Sequence, residues 1–194
     1  MTKTPVQLSF EEYLTYDDGT DNRYELIDGK LVIIPLPTGD RSDVIDFLSD
    51  TFRAEISKQG QTWIVKRDAG VYIGINLTNG KDRSRTPDLC VVTQAQWAKV
   101  KADKTRAAVL RDAPLLVVEI VSPSSKKIDY QTKEQEYKTI GIPEYWIVDF
   151  QKSQITILLL KEGEYERREF FGTERIVSLT FPELILTPQQ ILTV

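Results

Sequence analysis

The chain has 194 residues, of which 41% are hydrophobic and 28% charged, and its net charge is −4. That size and balance predict one globular domain over residues 1–194 with a proper hydrophobic core. The chain contains no histidine and a single cysteine, which excludes histidine general bases, metal sites built on imidazole, internal disulfides and multi-cysteine zinc sites.

The first 60 residues carry signals for a helix, a hairpin and a second helix. In "SFEEYLTY", Ser9 is placed to cap a short helix with acidic residues in its first turn. In "RYELIDGKLVII", Asp28-Gly29 separates two alternating runs, the pattern of a two-residue β-hairpin. The segment "GDRSDVIDFLSDTFRAEISKQG" predicts an amphipathic helix that ends near Gly60. Its apolar face consists of Val44, Ile45, Phe47, Leu48, Phe52 and Ile56.

The middle of the chain is strand-like. "TWIVKRDAGVYIG" predicts a strand, followed by a loop at Asn79-Gly80. In "RTPDLCVV", Pro87 holds the preceding residue extended, and a second strand follows Asp88. "PLLVVEIVSPSS" predicts a central strand buried on both faces, because its apolar run is nearly unbroken and rich in β-branched residues.

The last third supplies another helix and more strands. "SPSSKKIDYQTKEQEYKTIG" predicts a helix that ends at Gly141, and "EYWIVD" and "ITILLL" predict two strands joined by "FQKSQ". The tail predicts a strand and then a brief helix that begins near Thr187-Pro188. We expect Cys90 and Trp146 to be buried. The order of elements predicts an α/β (α+β) fold with a mixed central sheet flanked by helices.

Two kinds of segment are missing from the sequence. No apolar run approaches the roughly 18 residues of a membrane span, and "MTKTPVQLSF" lacks the apolar stretch of a signal peptide. We therefore expect a cytoplasmic protein with no membrane partner. "GVYIGINLTNG" lacks the lysine and the spacing of a phosphate-binding P-loop, and we expect no organic cofactor.

Glu119 is the one charge inside the central apolar strand. Burial of an unpaired carboxylate costs several kcal/mol. Glu119 should therefore be protonated, paired with a cation in a structural ion pair, or placed where the end of the strand opens to a metal ion and water.

Four polar side chains are expected to converge near that strand. Asp88 precedes one strand, Glu119 lies in the next, and Lys133 and Tyr137 share a face of the following helix because they are four residues apart. Two carboxylates from adjacent strands suit Mg²⁺ or Mn²⁺. A lysine beside them can stabilise phosphate charge or orient an attacking water.

The chain also resembles a known family. The segments that carry the resemblance are "YELIDGKLV", "TPDLCVV", "PLLVVEIVSPSS" and "GIPEYWIVD", together with Asp129, Lys133 and Tyr137. In this order they resemble the Uma-type putative restriction endonucleases of the PD-(D/E)XK nuclease superfamily. The resemblance implies a restriction-endonuclease-like core and a divalent-metal-dependent DNA endonuclease. It implies Asp88 and Glu119 as metal ligands and Glu25 as an accessory acidic residue.

The chain departs from the pattern of the superfamily at two places. The lysine usually found two residues after the second acid is replaced by Val121, so the positive charge is expected from Lys133, which matches the lysine of the family. Many relatives begin the first long helix with a histidine. Asp43 lies in about that region here, and we assign it no role.

Residues 81–111 hold eight basic and three acidic side chains and so carry a charge of +5 in a chain whose remainder is −9. The segment is either a solvated surface or a phosphate-facing rim beside Asp88. For the second interpretation, the candidate DNA contacts are Arg83, Arg85, Lys99 and Lys101.

Each candidate residue also has an ordinary structural explanation. Asp88 could complete a turn before a strand, Glu25 could pair across a hairpin, and Lys133 and Tyr137 could belong to a plain helix surface. Two functions therefore stay open: a Mg²⁺- or Mn²⁺-dependent endonuclease acting on DNA, and a non-catalytic binding or assembly protein with a nuclease fold. A nuclease that cuts both strands usually uses two sites, so we also expect a homodimer.

Overall fold

The computed structural model describes residues 7–123 and 125–194. In this part of the chain the α-helices are α1 (Phe10–Leu14), α2 (Gly39–Lys58), α3 (Gln94–Ala102), α4 (Lys133–Thr139) and α5 (Pro188–Leu192). A π-helical turn, Ile128–Thr132, leads directly into α4. Among the described residues, no helix is both long enough and apolar enough to cross a bilayer. Most of the "MTKTPVQLSF" segment, residues 1–6, lies outside the described residues.

The strands form two mixed sheets. They are β1 (Tyr24–Ile27), β2 (Lys30–Ile33), β3 (Ile64–Lys66), β4 (Gly70–Asn76), β5 (Lys81–Arg85), β6 (Leu89–Val92), β7 (Val109–Leu110), β8 (Leu116–Ile120), β9 (Glu144–Asp149), β10 (Gln154–Lys161) and β11 (Glu164–Phe171). Sheet A has the strand order β2-β1-β5-β4-β7, and sheet B has the order β11-β10-β9-β8-β6-β3. The β4–β7 and β8–β9 pairs are parallel and the other pairs are antiparallel. The predicted α/β architecture with helices flanking mixed sheet is confirmed.

Local sequence accounts for the ends of several elements. Ser9 accepts from the N–H of Glu12, whose carboxylate accepts from the N–H of Ser9, so a capping box begins α1. Asp28 and Gly29 have φ values of 50° and 75°, as the predicted two-residue turn between β1 and β2 requires. Thr187 caps α5 with Pro188 in its first turn.

Sheet B is covered on both faces, and β8 lies at its centre. Val118 joins Leu48 and Phe52 of α2 in one hydrophobic cluster. Val117 points the other way and joins Tyr137 of α4 in a second cluster, to which β4 of sheet A also contributes. Every residue of β8 is buried. A strand of this kind reads as an unbroken apolar run because neither of its faces meets water.

The predicted strand "TWIVKRDAGVYIG" is in fact two strands that belong to different sheets. β3 pairs with β6 at the edge of sheet B, whereas β4 pairs with β5 and β7 in sheet A. A bend at the exposed residues Arg67 and Asp68 separates them. Hydrophobic periodicity cannot reveal such a change of sheet, because both pieces alternate in the same way.

The predicted loop at Asn79-Gly80 is the tip of a hairpin, and the charged segment that follows it is strand β5. β5 pairs with β4 on one side and with β1 on the other. Ser84 and Arg85 are buried in it. The predicted loop at Asn79-Gly80 is a turn, but strand β5 was not predicted, because a Lys-Asp-Arg-Ser-Arg sequence has weak strand propensity and forms a strand here through pairing on both sides.

Candidate active site

Asp88 and Glu119 lie on neighbouring antiparallel strands of sheet B. Leu89 of β6 is opposite Val118 of β8. Asp88 directly precedes β6, so it falls opposite Glu119 one step further along the register. The backbone N–H of Ile120 donates to Oδ2 of Asp88 at 2.7 Å, which joins the two strand ends. The structure therefore brings the two predicted acids together.

Glu119 has a partner on each carboxylate oxygen. Its side chain is only 1% exposed. Tyr137 Oη donates to Glu119 Oε1 at 2.5 Å, and Lys133 Nζ lies 2.7 Å from Oε2. Lys133 and Tyr137 are one turn apart on α4, and their predicted common face meets the face of β8 that alternation assigns to Glu119. The cation that the sequence offered as one explanation for a buried carboxyl group is therefore present, and it is Lys133.

A third acid, Asp129, completes the cluster around Lys133. Its Oδ1 lies 3.0 Å from Lys133 Nζ, and its Oδ2 accepts a 2.5 Å hydrogen bond from Ser125 Oγ. Asp129 belongs to the π-helical turn, in which Lys133 N–H donates to the carbonyl of Ile128, five residues earlier. Asp129 was among the residues that carry the family resemblance, but no contact with Lys133 was predicted for it. The available signal was its position four residues before Lys133, which places both side chains on one face of a helix.

Burial dominates the electrostatics of the two acids. It raises the pKa of Glu119 to about 8, since the charge of Lys133 only partly offsets desolvation and the charges of Asp129 and Asp88 add to it. Burial also raises the pKa of Asp88 above its ordinary value. Desolvation lowers the pKa of Lys133, but the charges of Glu119, Asp129 and Glu25 outweigh it and raise that pKa. Lys133 is therefore a fixed cation among crowded carboxylates.

Arg41 is the site residue that sequence analysis missed. It lies in the first turn of α2, and its Nε and Nη2 both donate to Oδ1 of Asp88, at 2.9 and 2.6 Å. Asp43, the residue noted in this region, is exposed. Arg41 gave no signal in the sequence, because an arginine near the start of a helix is ordinary and its contact joins residues 47 positions apart.

Glu25 does not reach the acid pair directly but holds the segment that leads to it. Its Oε1 accepts from the backbone N–H of Thr86 at 2.9 Å, two residues before Asp88. Its Oε2 accepts from Arg85 Nη1 at 3.1 Å. These bonds connect β1 to the end of β5 and to the segment that leads into β6.

Arg83 and Arg85, two of the predicted DNA contacts, lie inside a network of ion pairs. Arg85 donates to both carboxylate oxygens of Glu136, at 2.7 and 3.1 Å, and its side chain is 7% exposed. Arg83 donates to the same carboxylate at 3.3 Å. Because Glu136 precedes Tyr137 on α4, this network fastens α4 to β5.

Lys99 and Lys101, the other two predicted DNA contacts, are exposed on α3. α3 begins beyond the end of β6 opposite to Asp88. Lys99 pairs with Asp112 and lines a pocket of about 150 Å³, whose lining does not include Asp88 or Glu119. The four basic residues therefore do not share one surface with the acid pair.

The donor set fits a hard divalent cation. Among the described residues, no three His, Cys, Asp or Glu side chains are arranged as a metal site. Mg²⁺, however, commonly uses only one or two carboxylates and keeps several waters. Asp88 and Glu119 are two carboxyl groups at adjacent strand ends, and each already attracts a cationic side chain, Arg41 or Lys133.

Comparison with known proteins gives a family and a fold. A family model described as "Uma2: Putative restriction endonuclease" matches residues 10–189. No curated protein matches the chain. The chain is similar to a crystal structure described as "a putative nuclease belonging to DUF820" from Anabaena variabilis, with a TM-score of 0.75 and 18% identity over 96% of this chain and 98% of that chain.

At that identity the structural likeness establishes the fold alone, and it confirms the predicted restriction-endonuclease-like architecture. The family model extends over most of the sequence, and the resemblance found in the sequence is confirmed. The chain belongs to the Uma2 family, which is described as one of putative restriction endonucleases.

Proposed function

We propose that this protein is a Mg²⁺- or Mn²⁺-dependent endonuclease that hydrolyses phosphodiester bonds in DNA. One observation carries the proposal: Lys133 Nζ lies 2.7 Å from Glu119, and Asp88 approaches Glu119 from the neighbouring strand. Two carboxylates and a fixed ammonium group are what metal-assisted phosphoryl transfer needs. Membership of a family described as "Putative restriction endonuclease" supports the same reaction class.

Asp88 and Glu119 would hold the divalent ion. When bound, such an ion supplies Lewis acidity that polarises a phosphoryl oxygen and makes water a better nucleophile. Arg41 now contacts Asp88 and Lys133 contacts Glu119, so metal binding requires at least Arg41 to leave Oδ1 of Asp88.

Lys133 would donate to the attacking water or to the scissile phosphate. Its side chain is 10% exposed, and its Nζ is held between Glu119 and Asp129. A charge held in this way needs little reorganisation when negative charge develops on the phosphate.

Tyr137 and Glu25 would act as positioning residues. Tyr137 fixes one oxygen of Glu119 by its hydrogen bond. Glu25 fixes the backbone at Thr86 and so the approach to Asp88. For DNA, Lys99 and Lys101 stay proposed phosphate contacts because they are exposed. Arg83 and Arg85 would contribute only if the pairs with Glu136 opened.

The second candidate is a non-catalytic binding or assembly protein, and one observation favours it. All four carboxylate oxygens of Asp88 and Glu119 already have a protein donor or cation: Arg41, Ile120, Tyr137 and Lys133. A set of acids kept only for structural ion pairs would have the same appearance.

One experiment separates the two candidates. Supercoiled plasmid and single-stranded DNA are incubated with the protein in Mg²⁺, Mn²⁺ or EDTA, and calorimetry measures metal binding without DNA. Cleavage that needs the metal and is lost in Asp88→Asn and Glu119→Gln supports the nuclease. Metal binding with neither substrate cut, or no metal binding at all, supports the non-catalytic protein.

Three further proposals accompany the nuclease. Residues 1–194 form one nuclease domain, the protein acts in the cytoplasm, and it acts as a homodimer because a duplex has two strands to cut. Sedimentation velocity with and without duplex DNA tests the dimer. A single monomeric species under both conditions would contradict it.

A further inference from the structure

A pocket of about 180 Å³ opens beside Asp88 and is lined by three arginines. Arg23 comes from the start of the β1–β2 hairpin, Arg41 from the first turn of α2, and Arg67 from the bend between β3 and β4. Asp68 and Asp88 are the acidic residues of the same lining. Three distant parts of the chain thus converge on one cavity and bring guanidinium groups to the candidate metal site.

Two of these arginines are held only weakly. Arg23 pairs with Asp68, and these side chains are 46% and 66% exposed. Arg67 pairs with Asp46, and these are 46% and 57% exposed. Exposed ion pairs contribute between 0 and about 1 kcal/mol, so each guanidinium can exchange its carboxylate for a phosphate at little cost.

Arg41 is held more firmly, and by a different kind of partner. Its side chain is 24% exposed and that of Asp88 is 8% exposed. It is the arginine of the lining that contacts a proposed metal ligand. A divalent ion at Asp88 would compete for Oδ1, and the guanidinium would then lie free at the mouth of the pocket.

We propose that this pocket binds the phosphodiester backbone of the DNA strand, and that Arg41 moves from Asp88 to a phosphate when a divalent ion occupies the acids. The proposal rests on the proposed nuclease function. A DNA backbone is the ligand that the charges favour. Successive phosphates of a DNA strand require several cations next to one another beside the acids. Guanidinium groups bind each phosphate with two parallel hydrogen bonds.

Thermodynamic coupling follows from the exchange of Arg41. Because Arg41 blocks the metal in the absence of DNA and binds DNA in the presence of the metal, each ligand should tighten the binding of the other. Arg23 and Arg67 contact no metal ligand. They should therefore contribute to DNA affinity at any metal concentration, whereas Arg41 should contribute only when the metal is bound.

The test measures DNA binding by fluorescence anisotropy with a labelled 20-base-pair duplex, from low to high salt, in Ca²⁺ and in EDTA. Gels run in parallel check that the duplex stays intact. The variants are Arg23→Gln/Arg67→Gln and Arg41→Gln. Arg53→Gln/Lys161→Gln is the matched control, because it removes two exposed cations that also pair with exposed acids, Asp50 and Glu166, outside the pocket.

For the Arg23→Gln/Arg67→Gln protein we expect at least tenfold weaker binding at low salt. The slope of log affinity against log salt should fall by about 2, since each lost phosphate contact removes about 0.9. The control should keep the slope of the wild type. Arg41→Gln should bind DNA like the wild type in EDTA but about tenfold more weakly in Ca²⁺. Calorimetry without DNA should show that it binds Ca²⁺ more tightly than the wild type does.

Three results would overturn these expectations, and they differ in what they remove. Equal salt slopes for the wild type and the Arg23→Gln/Arg67→Gln protein would overturn the proposal that the pocket binds DNA. If the wild type still cut DNA, the proposed nuclease function would stand. An equal loss for Arg41→Gln in EDTA and in Ca²⁺ would overturn the exchange of Arg41. A wild-type protein that neither bound nor cut DNA would overturn the proposed function and the pocket together.

Discussion

Lys133 and Glu119 form an ion pair with 2.7 Å between Nζ and Oε2, and their side chains are 10% and 1% exposed. The pair joins α4 to β8, and Asp129 approaches the same ammonium at 3.0 Å. Because two buried acids hold the ammonium of Lys133, this group has one fixed position relative to a bound substrate. Lys126 is 41% exposed and lies 3.7 Å from Asp149, which leaves it far less constrained.

The first prediction concerns these lysines. Lys133→Ala should reduce cleavage of plasmid DNA by about a hundredfold or more, the scale of losing one preorganised charge donor, with metal binding retained. Lys126→Ala, and Lys127→Ala at the exposed lysine that follows it, should change the rate only mildly and through DNA affinity. Initial rates of plasmid cleavage measure the effect of each substitution, and circular dichroism checks that each variant is folded. A Lys133→Ala protein that cut like the wild type would assign the role to another residue.

The second prediction concerns the metal. Mn²⁺ at about a hundred times its dissociation constant should stabilise the folded state by about 2.7 kcal/mol. For a chain of this length that corresponds to a rise of about 5 to 10 °C in Tm. Differential scanning fluorimetry in Mn²⁺ and in EDTA gives the shift, and Asp88→Ala/Glu119→Ala should lose it. An equal shift in the double variant would place the ion elsewhere.

The third prediction concerns the stability of the metal-free protein at different pH values. Burial raises the pKa of Glu119 from 4.5 to about 8. Between these values the folded chain keeps a proton that the unfolded chain has lost. The free energy of unfolding should therefore fall as pH rises through this window, by at most about 1.4 kcal/mol per pH unit from this group.

Urea unfolding in EDTA at pH 5, 6, 7 and 8 measures that slope. In Glu119→Gln the slope should be shallower, because the amide cannot titrate, and what is left should include the contribution of Asp88, whose pKa is also raised. Identical slopes in the two proteins would mean that Glu119 keeps its charge throughout this range.

The fourth prediction concerns the network that fastens α4 to β5. Glu136→Ala should destabilise the protein by about 3 to 5 kcal/mol, because it leaves the buried Arg85 without its main counter-ion. Glu164→Ala is the control. It breaks the pair between Lys138 of the same helix and a carboxylate that is 79% exposed, which should cost less than about 1 kcal/mol. Similar losses in the two variants, measured by urea unfolding, would mean that the Arg85 network adds little.

Sequence patterns with a local cause predicted most elements correctly. The capping residue Ser9, the Asp28-Gly29 turn and the apolar face of α2 act within a few residues of one another, so their outcome can be read along the chain. The nearly unbroken apolar run of β8 also predicted a buried central strand in which Glu119 is the one charged residue. The spacing of Lys133 and Tyr137 predicted their common face for the same local reason.

Tertiary structure alone decided which distant groups complete the site. β5 became a strand because neighbours on both sides pair with it, and Arg85 became buried because Glu25 and Glu136 meet it there. Arg41 reached Asp88 from another element, 47 residues away. Charge counts along the sequence placed the four candidate DNA contacts in one segment, whereas folding put Arg83 and Arg85 in an internal network and Lys99 and Lys101 on the exposed side of α3. Contacts of this kind depend on how helices and sheets pack in space, and the local sequence pattern does not specify which distant residues will meet.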